Sequence, residues 1–175
     1  MYLAIINYNM GNIKSVENAF KKIGAQVKVT DNPLIIKKAE AVVLPGVGAF
    51  KDAVNNLKQL NLYNAVIEAI NNDKPFLGIC IGLQILFKYG IEGGRSKGLG
   101  ILRGSVKKIP AGVKIPHMGW NRIKIIQKKS LLFKGIDNGE SFYFVHSYHV
   151  VSDDESLISS YTEYGVNIVS SIEYK

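Results

Sequence analysis

The fold is decided by residues 74–87, which read KPFLGICIGLQILF. A short apolar run at 76–79 meets the only cysteine of the chain, Cys80, and apolar residues then recur at helical spacing. The pattern predicts a strand, a tight turn that carries Cys80, and a helix over the remaining residues. Gly78 and Gly82 stand two residues before and two residues after the cysteine, which is the frame of a nucleophile elbow.

An elbow of this kind would activate Cys80. The first N–H groups and the positive dipole end of the following helix point at the sulfur, which lowers the pKa of the thiol and stabilises an oxyanion beside it. A small buried cysteine in an ordinary strand-to-helix turn would have the same local sequence. The pentapeptide alone therefore leaves a catalytic and a structural interpretation open.

Upstream of the elbow, predicted strands and helices alternate. Strands are predicted over 2–6, 26–30 and 41–44, and helices over 13–23, 33–36, 49–60 and 62–70. This β-α-β-α-β order predicts a parallel sheet with helices on both faces, whose ligands bind at the carboxyl ends of the strands. The sequence therefore predicts an α/β fold with its site at one edge of the sheet.

A second glycine turn, Pro45-Gly46-Val47-Gly48, follows the predicted strand 41–44. The glycines on both sides of Val47 leave its peptide free to rotate, so that a backbone N–H can point at a neighbouring site. An ordinary strand-to-helix turn would also fit this sequence. Since both glycine turns follow parallel strands, we expect them at the same edge of the sheet.

Beyond the elbow the pattern changes to short β-like segments. A loop near the mouth of the site is expected over 89–95, and strands are predicted over 101–109, 113–115, 121–126, 142–145 and 166–174. The last of these is predicted to be a strand whose partner follows it. Because the sequence shows neither repeats nor an evident domain boundary, we expect one domain over 1–175.

Composition limits the possible functions. The 175 residues are 47% hydrophobic and 21% charged, which is typical of an ordered globular protein. One cysteine excludes a disulfide framework, three scattered histidines do not suggest a zinc cluster, and no stretch reaches membrane-spanning length or resembles a signal peptide. The net charge of +8 comes from dispersed lysines without interleaved aromatic residues. We therefore expect a cytoplasmic protein that binds neither nucleic acid nor membranes.

Four motifs carry a resemblance to a known family. In chain order they are Pro45-Gly46-Val47-Gly48, Gly78-Ile79-Cys80-Ile81-Gly82-Leu83-Gln84, Pro116-His117-Met118-Gly119-Trp120-Asn121 and Tyr143-Phe144-Val145-His146-Ser147-Tyr148. Together they resemble those of the class I glutamine amidotransferases, and the last two are similar to motifs of the glutaminase subunits of imidazole glycerol phosphate synthase. The resemblance implies a doubly wound, flavodoxin-like α/β domain with a central, mostly parallel sheet, helices on both faces and a β-rich C-terminal half.

The resemblance implies that the chain hydrolyses glutamine to glutamate and ammonia. Cys80 would attack the side-chain amide and form a glutamyl thioester. The N–H groups of Ile81 and of Val47, the latter after its peptide rotates, would form the oxyanion hole. Neither a cofactor nor a metal is implied. The family positions that hold the substrate correspond to Gly46, Gly48, Gln84, Glu92 and Ser147, of which Glu92 suits the ammonium group.

The resemblance also implies a partner. In the family, ammonia passes into a (β/α)₈-barrel cyclase, with which the glutaminase forms a heterodimer that makes imidazole glycerol phosphate in histidine biosynthesis. Trp120 in a glycine-flanked loop would suit an interface anchor, although a core indole would fit the sequence equally well. The positions expected at or near the interface are Met10, Gly11, Asn12, Met118, Trp120 and Asn121.

Two departures from the family pattern limit the prediction. Asn7 and Asn9 stand where the family usually has Asp and Gly. The family's catalytic His and Glu belong to a segment that follows the strand corresponding to 166–174, and no such segment is in this sequence. His146 is the nearest histidine by topology, and we expect a structural, hydrogen-bonded role for it. We expect a truncated domain with little or no glutaminase turnover, because a cysteine without its base is poorly activated.

Three functions stay open. The first is an ammonia-supplying subunit for histidine biosynthesis. The second is a paralogue with the same chemistry that serves another synthase, such as one that makes amino sugars for surface polysaccharides, an alternative that Asn7 and Asn9 favour. The third is a non-catalytic binding module, which the missing base favours and the two glycine turns oppose. The identity of the partner separates the first two.

Overall fold

The computed structural model describes residues 1–127 and 129–174. These residues form two compact units: the first unit is Met1–Leu102, and the second unit contains the described residues from 103 onward. The single amidotransferase domain expected over 1–175 stays a prediction.

In the first unit, strands and helices alternate as predicted up to the cysteine. Its elements are β1 (Leu3–Ile6), α1 (Ile13–Lys22), β2 (Val27–Thr30), α2 (Pro33–Lys38), β3 (Ala41–Leu44), α3 (Phe50–Gln59), α4 (Tyr63–Asn71), β4 (Phe76–Gly78), α5 (Ile81–Gln84), β5 (Phe87–Gly90) and β6 (Ser96–Lys97). The strands β2, β1, β3 and β4 form a parallel sheet in that order. The predicted α/β fold with a parallel sheet is confirmed.

The central strands of this sheet are buried. Residues 4–6 of β1 and 42–44 of β3 are at most 1% exposed, as expected for parallel strands that consist of continuous apolar runs. At the end of β3, Leu44 pairs with Gly78 of β4. The chain therefore leaves both strands side by side, and both glycine turns start at the same edge of the sheet, as predicted.

The first two helices begin where asparagine side chains cap them. Asn12 accepts a hydrogen bond from the backbone N–H of Ser15 at 3.4 Å, at the start of α1. Asn32 accepts one from Leu34 at 2.9 Å, at the start of α2, and such caps satisfy N–H groups that have no partner within the helix. No helix within residues 1–127 and 129–174 is long and apolar enough to cross a membrane.

The helix of the elbow is shorter than predicted. α5 ends at Gln84, and residues 87–90, predicted as the end of the helix and the start of a loop, form β5, which pairs with β6 in antiparallel orientation. The reason is a competing backbone hydrogen bond: the carbonyl of Leu86 accepts from the N–H of Leu102 at 2.9 Å. A later segment of the chain thus occupies a carbonyl acceptor that a longer helix would use. The spacing of apolar residues alone cannot reveal this competition.

The second unit is built from antiparallel strands. Its elements are β7 (Leu102–Lys108), β8 (His117–Ile125), β9 (Ser141–His146), β10 (Tyr148–Ser152), a 3-10 turn at Glu155–Leu157, β11 (Ile158–Tyr164) and β12 (Val166–Ile172). The strands β12, β11, β8 and β9 form a sheet in that order, and β7 pairs with β10. The predicted change to a β-rich second half is confirmed.

The strand predicted at 113–115 is wrong. This segment is a turn that leads into β8, and Gly112 just before it adopts a φ of +106°, which lies outside the strand region. The other predicted strands of this half, at 101–109, 121–126, 142–145 and 166–174, correspond to β7, β8, β9 and β12.

The strand β11 is not apparent in the sequence because its buried positions are polar. Ser159, Ser160 and Thr162 are at most 1% exposed, so the strand lacks the apolar alternation that would predict it. β11 is also the partner of β12, to which it is joined through Gly165 at a φ of +69°. In the described residues β12 thus pairs with the strand that precedes it and lies at the edge of its sheet, and the expectation of a partner that follows stays a prediction.

Candidate active site

Cys80 lies in a strained turn between β4 and α5. Its backbone angles are φ +54° and ψ −110°, in a region that residues other than glycine rarely adopt. A Cβ on Gly78 would lie 2.8 Å from the carbonyl oxygen of Gly82, and a Cβ on Gly82 would lie 1.8 Å from that of Leu44. The turn thus has the backbone geometry of an elbow, and side chains are excluded at both glycines.

The surroundings of Cys80 raise the pKa of its thiol. The residue is exposed, but the protein around it desolvates the sulfur, and this desolvation raises the pKa of the thiol. The backbone N–H of Ile81 bonds to the sulfur and lowers the pKa by a smaller amount. The direction differs from the lowered thiol pKa expected of an elbow, and desolvation of the sulfur is the larger cause.

The second glycine turn packs against the elbow. A Cβ on Gly46 would lie 3.0 Å from the Cβ of Ile81 and 3.2 Å from the backbone nitrogen of Gly82. Gly48 adopts a φ of +112°, and the side chain of Val47 is 55% exposed. The two predicted oxyanion donors, Val47 and Ile81, thus belong to adjacent backbone segments, and their function as donors stays a prediction.

Glu92 joins this cluster from the turn after β5. Its Oε2 accepts a hydrogen bond from the backbone N–H of Phe50, the first residue of α3, at 2.9 Å. The N-cap residue Ala49 makes no such bond through its side chain, so Glu92 caps the helix instead. Three of the predicted substrate-binding residues, Gly46, Gly48 and Glu92, are thereby brought together around one turn.

The two other predicted substrate-binding residues have different surroundings. Gln84 is the last residue of α5 and is only 7% exposed, so it is buried within the elbow. Ser147 lies between β9 and β10 in the second unit, where its carbonyl accepts a hydrogen bond from the N–H of Ile109 at 3.0 Å. A contact of either residue with substrate stays a prediction.

The turn after β1, residues 7–12, lies against the second glycine turn. A Cβ on Gly11 would lie 3.3 Å from the backbone nitrogen of Gly46, and a Cβ on Gly48 would lie 2.8 Å from Cε of Met10. Met10 and Gly11, which are predicted at the partner interface together with Asn12, are therefore close to the candidate site.

The two departures from the family pattern are in this same turn. Asn9 has a φ of +63°, and its N–H donates to Oδ1 of Asn7 at 3.3 Å. After glycine, asparagine is among the residues that adopt this left-handed conformation most readily. The backbone at Asn9 thus keeps a conformation typical of glycine, which removes the reason to connect Asn9 with a different function.

Tyr8 is a residue of the site that the sequence analysis does not identify. Its side chain is fully buried, and its hydroxyl lies against the second glycine turn, since a Cβ on Gly46 would be 2.3 Å from the oxygen. The one signal in the sequence is a tyrosine within a polar turn at the carboxyl end of a strand, where ligands of parallel sheets bind.

All three histidines of the chain belong to the second unit. Nδ1–H of His146 donates to the carbonyl of Tyr148 at 3.0 Å, which leaves Nε2 of His146 to accept from Nδ1–H of His117 at 2.9 Å. Nε2 of His117 then accepts from Nδ2 of Asn121 at 3.3 Å. Burial lowers the pKa of both rings and so favours their neutral forms. This histidine network supports the structural role expected for His146.

Met118 and Trp120 lie on the exposed face of β8. They are 61% and 74% exposed, and their cross-strand neighbours on β9, Val145 and Tyr143, are 53% and 56% exposed. These four residues form the β8–β9 apolar patch, in which the Trp120 and Tyr143 rings meet edge to face at 5.8 Å. The interpretation of Trp120 as a core residue is therefore wrong. Asn121, one residue further along the strand, faces the other side.

Comparison with known sequences identifies relatives over nearly the whole chain. A family model described as glutamine amidotransferase class-I matches residues 4–173. The imidazole glycerol phosphate synthase subunit HisH of Moorella thermoacetica is 48% identical over 171 residues, which cover 98% of this chain and 81% of that protein. The subunit of the same name from Aquifex aeolicus is 48% identical over 174 residues, which cover 99% of this chain and 84% of that protein.

Solved structures share the fold at much lower identity. A crystal structure of a glutamine amidotransferase matches with a TM-score of 0.70 at 15% identity, covering 94% of this chain and 82% of that one. The structure of PurLQS from Thermotoga maritima matches with a TM-score of 0.69 at 19% identity, covering 95% of this chain and 76% of that one. At such identities the likeness is one of fold alone.

Proposed function

The chain belongs to the class I glutamine amidotransferases and, within them, to the HisH subunits of imidazole glycerol phosphate synthase, and from this premise we propose that Cys80 is the nucleophile with which it releases ammonia from glutamine. As a member of this family it is a glutamine amidotransferase subunit that serves histidine biosynthesis. The observation that carries the proposal is the strained backbone at Cys80. Strain of this kind is typical of turns that present a reactive side chain.

The proposed reaction proceeds through a covalent intermediate. The thiol of Cys80 loses its proton to a base, and the sulfur attacks the side-chain carbonyl carbon of glutamine. The N–H groups of Ile81 and Val47 stabilise the oxyanion that forms, and one such donor typically contributes about 10²–10³ in rate. The amide nitrogen takes a proton and leaves as ammonia. Water then hydrolyses the thioester to glutamate and restores the thiol.

No histidine of the first unit can act as the base. The three histidines of the chain are at 117, 146 and 149, in the second unit, and desolvation raises the pKa of the Cys80 thiol. The first unit thus supplies a nucleophile and two oxyanion donors without a histidine that would activate the thiol.

Glutamine binding is assigned to the cluster around the second glycine turn. One oxygen of the Glu92 carboxylate accepts a hydrogen bond from the N–H of Phe50. Because Phe50 follows Gly48 by two residues in the sequence, this bond holds the negative charge next to the second glycine turn. A carboxylate in this position suits the α-ammonium of the substrate, with which it would form a charge-assisted hydrogen bond. Gln84 and Ser147 are proposed to contact the rest of the amino-acid end.

The partner is proposed to be a (β/α)₈-barrel cyclase that receives the ammonia in a heterodimer. Exposed apolar side chains rimmed by polar residues are typical of protein–protein interfaces, and tryptophan is enriched at their centres. The β8–β9 apolar patch fits this description through Trp120, and Met10, Gly11 and Asn12 are proposed to lie close to the cyclase because they adjoin the site. We place the complex in the cytoplasm, where a single cysteine stays reduced.

The test of the function is covalent labelling of Cys80 by a glutamine analogue that carries a diazo ketone in place of the amide. We expect slow labelling of the wild type, protection by excess glutamine, and no labelling of Cys80→Ser. Equal labelling of the two proteins would remove Cys80 from the site. A lack of protection by glutamine would favour the non-catalytic binding module, for which the raised pKa of the thiol is the supporting observation.

Glutamate release in the presence of the cyclase measures turnover and partner together. We expect glutamate release that depends on the cyclase and is abolished by Cys80→Ser, because Cys80 is the proposed nucleophile. Equal release by the wild type and Cys80→Ser would contradict the proposed reaction. Stimulation by the histidine-pathway cyclase, and none by an amino-sugar synthase, would exclude the paralogue.

A further inference from the structure

The turn at 91–95, which carries Glu92, has little structure of its own to hold it. It joins β5 to β6 in a hairpin whose strands are paired over only two residue pairs. Gly93 and Gly94 follow the glutamate at φ +62° and +110°, with no described atom within 4 Å of either Cβ position. Pairing this short does not fix a turn, and adjacent glycines leave its backbone free to move. The position of the Glu92 carboxylate is therefore set by contacts outside the turn.

Phe50 supplies these contacts in two ways. Its backbone N–H donates to Oε2 of Glu92 at 2.9 Å, and among residues 1–127 and 129–174 this is the one hydrogen bond of the Glu92 side chain. Its ring packs against the hairpin. A Cβ on Gly90, the last residue of β5, would lie 2.7 Å from Cγ of the ring, and a Cβ on Gly98, just after β6, would lie 3.0 Å from Cζ. One residue thus contacts the hairpin at its turn and at the ends of both strands.

The glycine at position 90 makes room for this ring. Gly90 is a strand residue without a left-handed φ, so its backbone conformation does not require glycine. A Cβ there would meet three ring atoms of Phe50 at 2.7–3.0 Å, whereas carbon atoms pack at about 3.5–4.0 Å. Since Phe50 is only 1% exposed, its neighbours enclose the ring and limit its movement. The hairpin therefore takes its position from the ring.

Phe50 also connects the hairpin to the second glycine turn. It is the first residue of α3, a helix with four buried residues, and it follows Gly48 by two positions. The second glycine turn in its place packs against the elbow, because a Cβ on Gly46 would lie 3.0 Å from the Cβ of Ile81. The Glu92 carboxylate is thus fixed relative to a buried helix and to the backbone next to the elbow.

We propose that Phe50 is a positioning residue for glutamine: its ring and its N–H together hold the Glu92 carboxylate where it receives the α-ammonium group of the substrate. The proposal rests on the proposed role of Glu92 in glutamine binding. Oε2 accepts from the Phe50 N–H, and the second carboxylate oxygen is left for the ammonium. A charge-assisted hydrogen bond depends on position, so a displacement of the hairpin by about 1 Å weakens it. Phe50 thereby affects the affinity for glutamine and not the reactivity of Cys80.

The test compares Phe50→Leu with the wild type in two measurements. Leucine keeps the backbone N–H and removes the outer ring atoms, including Cζ, on which Gly98 rests. We expect the glutamine concentration that gives half protection against the diazo ketone analogue to rise about fivefold. The rate of alkylation by iodoacetamide, which needs no ammonium site, should stay within about twofold, since Cys80 is the only cysteine. An unchanged half-protection concentration in folded Phe50→Leu would overturn the proposal.

A double-mutant cycle with Glu92→Gln separates positioning from a general loosening of the fold. Glu92→Gln removes the charge and by itself should raise the half-protection concentration about tenfold. If the ring acts through Glu92, adding Phe50→Leu should then raise this concentration by less than about twofold. The full effect of Phe50→Leu in both backgrounds would show that the ring acts independently of Glu92, and the proposal would be wrong.

Gly90→Ala tests the same contact from the hairpin and leaves Phe50 unchanged. Its methyl group would meet the ring at 2.7 Å and displace the hairpin, so it should also raise the half-protection concentration about fivefold. This variant decides the question if Phe50→Leu fails to fold, and an unchanged concentration would again overturn the proposal.

Leu57→Ala is the matched control in α3. Leu57 is 0% exposed and lies about two helical turns beyond Phe50. The variant should lower the urea midpoint of unfolding at least as far as Phe50→Leu and leave the half-protection concentration unchanged. An equal loss of protection in Leu57→Ala would mean that Phe50 acts only through stability. If glutamine does not protect the wild type at all, the proposed function fails and this proposal fails with it. A protected wild type with unaffected variants removes this proposal alone.

Discussion

The turn that carries Cys80 and the histidine network both bring polar groups together, but they differ in how many of these groups have hydrogen-bond partners. At the turn, the backbone of Cys80 is at a φ of +54°, and Cys80 is exposed. Beside the turn, the hydroxyl of Tyr8 is unpaired among the described residues. In the network, His117 is 3% exposed, and His117 and His146 have hydrogen-bond partners at 2.9–3.3 Å on both ring nitrogens.

This difference suits the turn to a chemical function and the histidine network to a structural one. Groups whose hydrogen bonds are complete gain little from a ligand, whereas a strained backbone and an unpaired donor can gain interactions when charge develops beside them. The elbow depends on backbone contacts that exclude side chains, and the network depends on side chains that fill space. The two regions should therefore respond to different substitutions.

Gly82→Ala should have the largest effect, because it breaks the elbow through its backbone. The new Cβ would lie 1.8 Å from the carbonyl oxygen of Leu44, and a central strand cannot move away without losing its pairing. We expect the free energy of unfolding, measured by urea denaturation, to fall by about 4 kcal/mol or more.

Gly24→Ala is the control for Gly82→Ala. Gly24 has a φ of +84° and nothing within 4 Å of its Cβ position, so it tests conformational strain without a clash. Its expected loss is about 1 kcal/mol. Similar losses in the two variants would contradict the account of the elbow as a close backbone contact.

Trp120→Ala should have the second largest effect. It changes the β8–β9 apolar patch, whose side chains are exposed in the second unit. Since the side chain is 74% exposed, we expect little change in the free energy of unfolding but binding to the cyclase weakened by about 2 kcal/mol or more. Isothermal titration calorimetry measures the affinity. Lys124→Ala, further along the exposed side of β8, should leave it nearly unchanged, and equal losses would show that Trp120 is not an anchor.

Glu92→Gln should weaken glutamine binding about tenfold, because the charge that faces the ammonium is lost. The measurement is the glutamine concentration that gives half protection against the diazo ketone analogue. Asp52→Asn is the control. Like Glu92, Asp52 places a negative charge at the N-terminal end of helix α3, where it interacts favourably with the helix dipole. Each variant should lose about 0.5 kcal/mol of stability, and a loss of protection in both would contradict a specific role of Glu92.

The pH dependence of the histidine network should be the smallest effect. The pKa of His117 and of His146 is lowered from 6.5 in the folded chain, so the unfolded chain binds more protons as the pH falls below that value. The stabilisation is complete above about pH 6.5 and is lost as the pH falls toward the folded-state pKa values. We expect the free energy of unfolding to fall by about 1 kcal/mol between pH 7 and pH 5, after allowance for screening.

His117→Phe identifies the source of this slope. A phenyl ring keeps the stacking of His117 on Phe144 and Tyr164, whose ring centroids lie 4.8 and 3.9 Å away, but it cannot take up a proton. The slope of stability against pH should shrink in the variant, with a remainder from His146 and from His149, whose pKa values are also lowered. An unchanged slope would show that other groups cause the pH dependence.

The local sequence pattern was sufficient to predict those parts of the fold that depend on residues close together in the sequence. The apolar runs of β1 and β3 and the glycines around Cys80 predict the parallel sheet and the elbow, because a buried strand and a tight turn each impose residue types at short spacing. The end of α5 could not be predicted, since it depends on Leu102, whose N–H takes the Leu86 carbonyl. β11 was hidden because its buried positions are serine and threonine.

The sequence by itself determined the α/β class, the position of the candidate nucleophile and the family. Only the tertiary structure decided three further properties: that the thiol of Cys80 has a raised pKa, that Tyr8 lies behind Gly46, and that Trp120 is exposed while His117 is buried on the same strand. The physical reason is that a pKa, an unpaired hydrogen bond and an exposed fraction depend on atoms brought together from distant parts of the chain. Spacing along the sequence cannot specify which atoms those are.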